Sequence, residues 1–181
     1  MGTYRDLMAL VREPGMATHG ALLGARSALS RAIGGGWATS AELEWLVGAL
    51  RDALTLDAPN DLDAYMQAME FDRSPEGRLW LPRRGRLMRL CRDLQWFETD
   101  PGAEFLSVSM PPRTGKSSIC SMAMTWHLGR DPMHSNLMTA HSDKLTKHFY
   151  QQCLQFVSDQ EYRFAECFPD APLVWQSGED E

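Results

Sequence analysis

Residues Ser107 to Met122 read SVSMPPRTGKSSICSM and hold the side chains best suited to chemistry. Gly115-Lys116-Ser117 stands between an apolar run and a stretch of helical character. A loop leading into a helix N-terminus gathers unpaired backbone N–H groups and the positive end of the helix dipole. That combination holds anions, phosphates above all. In such a loop Gly115 lets the backbone approach a phosphate closely. Lys116 brings charge to the β- and γ-phosphates, and the Ser117 hydroxyl is placed to bind Mg²⁺. The backbone of Thr114, Gly115, Lys116, Ser117 and Ser118 would form the cradle, with Pro112 and Arg113 at its mouth. The pattern GxxxxGK[ST] would put a first glycine where this chain has Met110, so the match is partial. Its setting carries the reading over that of a plain surface turn: a strand-like segment before, a helix after, and a second such unit following.

The elements that must position these residues can be read from their flanks. EFLSVSM is a candidate buried strand over Phe105–Met110. Lys116 to about Leu128 reads as a helix, closed by Gly129 and then Asp131-Pro132. SNLMTAHS is a second strand candidate over Asn136–Ala140, and DKLTKHFYQQCLQFVS a second helix. Strand, helix, strand, helix over residues 104–158 predicts a parallel α/β sheet with a right-handed connection. The first half reads as helical. Tyr4, Leu7, Met8 and Val11 share one face up to Pro14-Gly15, and a further helix runs to Gly34-Gly35-Gly36. Thr39 followed by Glu42 is a capping box opening AELEWLVGALRDAL. A short helix is expected over NDLDAYMQAME, a loop at SPEG, and a helix over RRGRLMRLCRDLQWFE with Leu87, Leu90 and Leu94 as its stripe.

Composition bounds the function. The 181 residues suit one domain, or one with a small appendage, and are enough to bury a core unaided. Net charge is −6, so no overall basic field advertises nucleic acid. Cys91, Cys120, Cys153 and Cys167 form no CxxC pair and suggest no zinc site, which favours a reduced, cytoplasmic protein. No run of about 18 apolar residues could span a membrane, and the N-terminus lacks the apolar centre of a signal peptide.

MPPRTGKSS resembles the phosphate loop of large terminase subunits, the motors that pump viral DNA into procapsids. Many of them carry a Pro-Pro-x-x-Gly-Lys-Ser form of the Walker A motif. WHLGRDP is similar to the end of that family's first motor helix. LMTAHSDKLTKHFYQQ looks like its next strand and helix, and DQEYRFAECFPD like the segment after, over roughly Glu104–Asp170. The resemblance implies a helical N-terminal region over 1–75 and, over 76–181, an incomplete P-loop (RecA-like) ATPase motor domain of parallel sheet and flanking helices. It implies ATP and Mg²⁺ as ligands. It also implies double-stranded DNA, a small terminase subunit and a portal protein as partners, a ring of motor subunits, and the host cytoplasm as location. Lys116 and Arg113 are the candidate catalytic residues. The family's loop arginine often lies four residues before the lysine, where this chain has Pro112; Arg113 is three before it. His141 stands where the family often has an aromatic.

Other features have two readings each. Arg83, Arg84, Arg86, Arg89 and Arg92 are either a phosphate, DNA or adenine-side contact or a solvated helix face. Trp80, with Pro82 beside it, is either an adenine contact or a core residue. Ser142, Lys144, Lys147 and His148 either touch a nucleic acid backbone or include a simple N-cap. Trp37, Trp45, Trp96 and Trp126 are expected to be packing anchors. No four apolar residues followed by Asp-Glu occur after Lys116; APLVWQSGEDE comes nearest. The chain is therefore expected to be cut short, without the second Mg²⁺ carboxylate or a nuclease domain, and to bind nucleotide without turning it over. A helicase-like ATPase fragment and a degenerate, non-enzymatic partner-binding module are the alternatives.

Overall fold

A computed structural model describes residues 18–36 and 38–171. Its regular elements are helices: α1 His19–Gly34, α2 Ser40–Asp57, α3 Leu62–Met69, α4 Arg84–Thr99, α5 Lys116–Arg130, α6 Asp143–Ser158 and α7 Phe164–Cys167, with a 3₁₀ turn at Pro75–Gly77. The first three start on side-chain caps. Thr18 accepts from the Ala21 N–H, and Asp61 accepts from the N–H groups of Asp63 and Ala64. Thr39 and Glu42 form the reciprocal capping box that the sequence announces.

The main core joins α2 to α7. Leu54, Leu62, Met66, Trp80, Leu87, Ile119, Met122, Trp126 and Phe164 are all buried in it. A satellite cluster of Leu29, Leu46, Ala49 and Ala53 ties α1 to α2. Two buried hydrogen bonds dock α5 on the N-terminal helices. Trp126 Nε1–H donates to the Ala58 carbonyl at 2.7 Å, and the Tyr65 and Thr125 hydroxyls meet at 2.8 Å. Both satisfy groups that would otherwise be desolvated without a partner.

The expected α/β parallel sheet is not formed: among the described residues there is no strand. Phe105–Met110 and Asn136–Ala140 are irregular segments flanking α5, with no backbone ladder between them. Their exposure shows why. Leu106, Val108 and Met110 are half-buried, and the last two pack against the core, but Phe105 is 82% exposed and Ser107 and Ser109 face solvent. Leu137 is 87% exposed, while Met138 and Ala140 are half-buried. Parallel strands need cover on both faces and neighbours to pair with. Here helices cover one side only, and the same alternation that suits a half-buried strand leaves each segment on a helical surface. The expected P-loop sheet over 76–181 is corrected accordingly.

Smaller differences follow from packing. α5 continues through Gly129 to Arg130, so Gly129 does not end it. Gly129 instead lets the Phe168 ring lie against the helix: a Cβ there would meet Phe168 Cδ2 at 2.2 Å. Trp126 is the buried anchor expected of it and Trp45 packs on the satellite cluster. Trp96 is 51% exposed, its Nε1–H bonded to Asp100, because the α4 surface it occupies is solvent-facing. Trp80 is fully buried and belongs to the core. Ser142 makes no side-chain cap at α6. The faces read for Tyr4 to Val11, and the reading of Trp37, lie outside the described residues.

Candidate phosphate site at the head of helix α5

The loop between Met110 and α5 takes its shape from three residue types. Pro111 and Pro112 hold fixed φ angles and donate no N–H. Arg113 then enters the left-handed region at φ 63°, and Gly115 does so again at 94°. Thr114 Oγ1–H donates to the Pro111 carbonyl at 3.0 Å and fastens the loop across its width. The result is a tight reversal whose final residue, Gly115, is the N-cap of α5. Glycine has no side chain to cap with, so the first N–H groups of the helix lack both a capping oxygen and an intrahelical acceptor. Lys116 is the first helical residue and Ser117 the second. Two left-handed residues at the head of a 15-residue helix are an arrangement that can accept an anion.

The arrangement brings the sequence-predicted residues together. Pro112, Arg113 and Ser117 are exposed; Thr114, Gly115, Lys116 and Ser118 are half-buried. Gly115 is required on two counts. Its φ is unfavourable for any residue with a Cβ, and a Cβ there would lie 3.0 Å from Arg83 Cδ and 3.7 Å from Leu87 Cδ1. The start of α4 is therefore the wall behind the loop.

That wall is built by a residue the sequence reading missed. Glu70 is fully buried, and its carboxylate accepts N–H bonds from Leu79, Trp80 and Leu81 at 2.6 to 3.3 Å. The turn it holds continues to Arg83, whose Nη1–H donates back to the Leu79 carbonyl at 2.9 Å. Burial pushes the Glu70 pKa up, and the three backbone donors and Arg73 oppose the shift only in part.

The remaining arginines divide. Arg84 makes a bidentate pair with Asp63 at 2.7 and 2.8 Å, while Arg86, Arg89 and Arg92 are exposed. Asp63 also accepts from Trp80 Nε1–H at 3.0 Å. It belongs to a second unforeseen network centred on Arg26, a buried guanidinium donating to Asp57 at 2.6 Å, Asp61 at 2.9 Å and Asp63 at 3.4 Å. His19, Asp57 and Asp61 have the types and spacing to hold a metal ion. Arg26 already supplies the cation between the two carboxylates, so the set reads as a structural ion cluster. It contains no residue of the loop.

Comparison with protein-family models, curated proteins and solved structures finds no match to this chain. Among the described residues no helix is long and apolar enough to cross a membrane.

Proposed function

We propose that residues 112–118 bind the phosphates of a nucleotide, and that the chain is the ATP-binding portion of a DNA-packaging motor of the large terminase kind. The observation that carries the phosphate reading is the pair of left-handed residues, Arg113 and Gly115, leading directly into an uncapped helix whose first side chain is Lys116. Gly115 has no side chain and turns at φ 94° directly into that helix, packed on the Arg83 side chain behind it. The choice of ATP, Mg²⁺ and packaged DNA rests on the sequence resemblance of MPPRTGKSS and the segments after it.

In this reading the N–H groups of Thr114 to Ser118 hold phosphate oxygens and Lys116 offsets charge on the β- and γ-phosphates. Ser117 Oγ is the protein ligand to Mg²⁺, which when bound spreads the charge of the phosphate oxygens. Arg113, exposed at the loop mouth, faces incoming anions. Double-stranded DNA, a small terminase subunit and a portal protein are the proposed partners of the whole motor, acting as a ring in the host cytoplasm.

Isothermal calorimetry with Mg²⁺-ADP on wild type and Lys116→Ala tests the loop. Removing a charge-assisted contact of about 1.5–3 kcal/mol should weaken binding by at least roughly tenfold. Equal affinity in the two proteins would remove Lys116 from the site and the reading with it.

A further inference from the structure

One polar group beside the loop has no explanation in packing. Gln152 on α6 donates through Nε2–H to Ser118 Oγ at 3.3 Å. Its Oε1 is closed off from solvent and has no hydrogen-bond partner among the described residues. A buried acceptor without a donor is destabilising, and folded proteins hold few of them. The direction of the Gln152 bond supplies a reason for this one. A serine hydroxyl has one hydrogen and two lone pairs. With a lone pair occupied by the Gln152 N–H, the Ser118 hydrogen is directed away from α6. Ser118 is the third residue of α5 and only half-buried, in the turn whose backbone N–H groups lack intrahelical acceptors. Its hydrogen is therefore left for an acceptor at the head of that helix.

We propose that Gln152 is a positioning residue that fixes the Ser118 hydroxyl as a donor to a phosphate oxygen in the loop, leaving its own Oε1 dry to do so. This rests on the phosphate-loop reading above. It makes α6 part of the site: residues 34 apart in sequence act on one phosphate oxygen. Binding affinity and stability of the empty protein are then set against each other at one side chain.

Three single variants and one double test it, with thermal melts of the empty protein and calorimetry with Mg²⁺-ADP. Gln152→Leu removes the dry oxygen and keeps the bulk. It should melt about 2–4 °C above wild type yet bind ADP roughly three- to tenfold more weakly. Gln152→Glu accepts the Ser118 hydrogen and so reverses the bond, and should bind more weakly than the Leu variant. Ser118→Ala should lose as much affinity as Gln152→Leu, and the double variant no more than Ser118→Ala alone, because both changes delete one contact. A purely structural Gln152 predicts a lower melting point for Gln152→Leu with unchanged affinity; either result would overturn the proposal, as would losses that multiply in the double variant. Wild type without ADP binding would overturn the phosphate-loop reading as well, whereas wild-type binding matched by Gln152→Leu overturns only the role of Gln152.

Discussion

Replacing Gly129 by alanine separates packing from helix propensity in a single measurement. Gly129 lies within the last turn of α5, where alanine is the better helix former by about 1 kcal/mol. An added methyl, however, would sit 2.2 to 2.5 Å from three atoms of the Phe168 ring. The ring is itself fixed, 5.5 Å from the Tyr65 ring and 5.4 Å from that of Phe164, centroid to centroid. It cannot swing away without moving the 164–168 turn. Overpacking of this kind destabilises by about 1–3 kcal/mol, and contacts this short belong at the upper end. Taking about 2 kcal/mol net of the propensity gain, and about 3 °C per kcal/mol at this chain length, the melting point should fall by about 6 °C. In a Phe168→Ala background, which itself loses about 3–5 kcal/mol, the clash is absent and only propensity remains. There Gly129→Ala should raise stability. The assay is thermal and urea denaturation by circular dichroism for the four proteins of the cycle. Destabilisation of equal size in both backgrounds, or a wild-type background that tolerates alanine, would refute the argument that the Phe168 ring demands glycine.

Three further expectations follow from the site and its frame. Gly115→Ala forces a residue with a Cβ to φ 94°, a conformation disfavoured by about 1–2 kcal/mol, and presses on Arg83 Cδ at 3.0 Å; urea denaturation should show that loss, and Arg83→Ala should restore only part of it, whereas an unchanged midpoint would remove the case for backbone strain. Arg26→Met leaves Asp57 and Asp61 facing each other with only the His19 ring, 2.7 Å from Asp57, beside them, and should lower stability by about 3–5 kcal/mol in guanidinium titrations, with a loss below about 1 kcal/mol counting against a structural cluster. Burial raises the Glu70 pKa, so the folded protein holds that proton more tightly than the unfolded chain does. Its contribution should be fully present below the ordinary glutamate range near 4.5 and be lost as pH rises through the higher folded value. Denaturation midpoints compared across acidic pH should show this decline in wild type and lack it in Glu70→Gln; an identical pH dependence in the two would exclude Glu70 as its source.

The loop was legible because its signals are local. Gly-Lys-Ser after two prolines specifies a turn entering a helix, α4, α5 and α6 each carry a helical apolar period, and Thr39 with Glu42 marks the start of α2. The sheet was misread for a physical reason. Whether EFLSVSM pairs depends on neighbours and on cover from a second face, and neither is encoded within seven residues. The alternation of Leu106, Val108 and Met110 with Phe105, Ser107 and Ser109 fits a segment laid on helices as well as it fits a strand. Gly129 was misplaced because a glycine near a helix end reads as a terminator, while its role here is set by Phe168, far along the chain. The backing of the site was beyond local reading altogether. Glu70 and Trp80 are ten residues apart, Arg26 and Asp57 thirty-one, Ser118 and Gln152 thirty-four, and only tertiary packing brings each pair together.

These long-range contacts explain how the 111–115 loop keeps its shape without a strand behind it. In a sheet-based site the preceding strand fixes where the loop starts. Here Phe105–Met110 makes no ladder, and the loop is held from its far side. Glu70 clamps the 79–81 turn through three backbone N–H bonds, the turn carries Arg83, and Arg83 lies against Gly115. Trp126 and Thr125 anchor the same helix three turns further on, against Ala58 and Tyr65. Both ends of α5 are thereby tied to α2, α3 and α4, so the left-handed Arg113–Gly115 reversal is held by the core rather than by its own residues. Rigidity of this kind is what the proposed phosphate site would require, since a loop already held in its binding shape loses little entropy when a ligand docks.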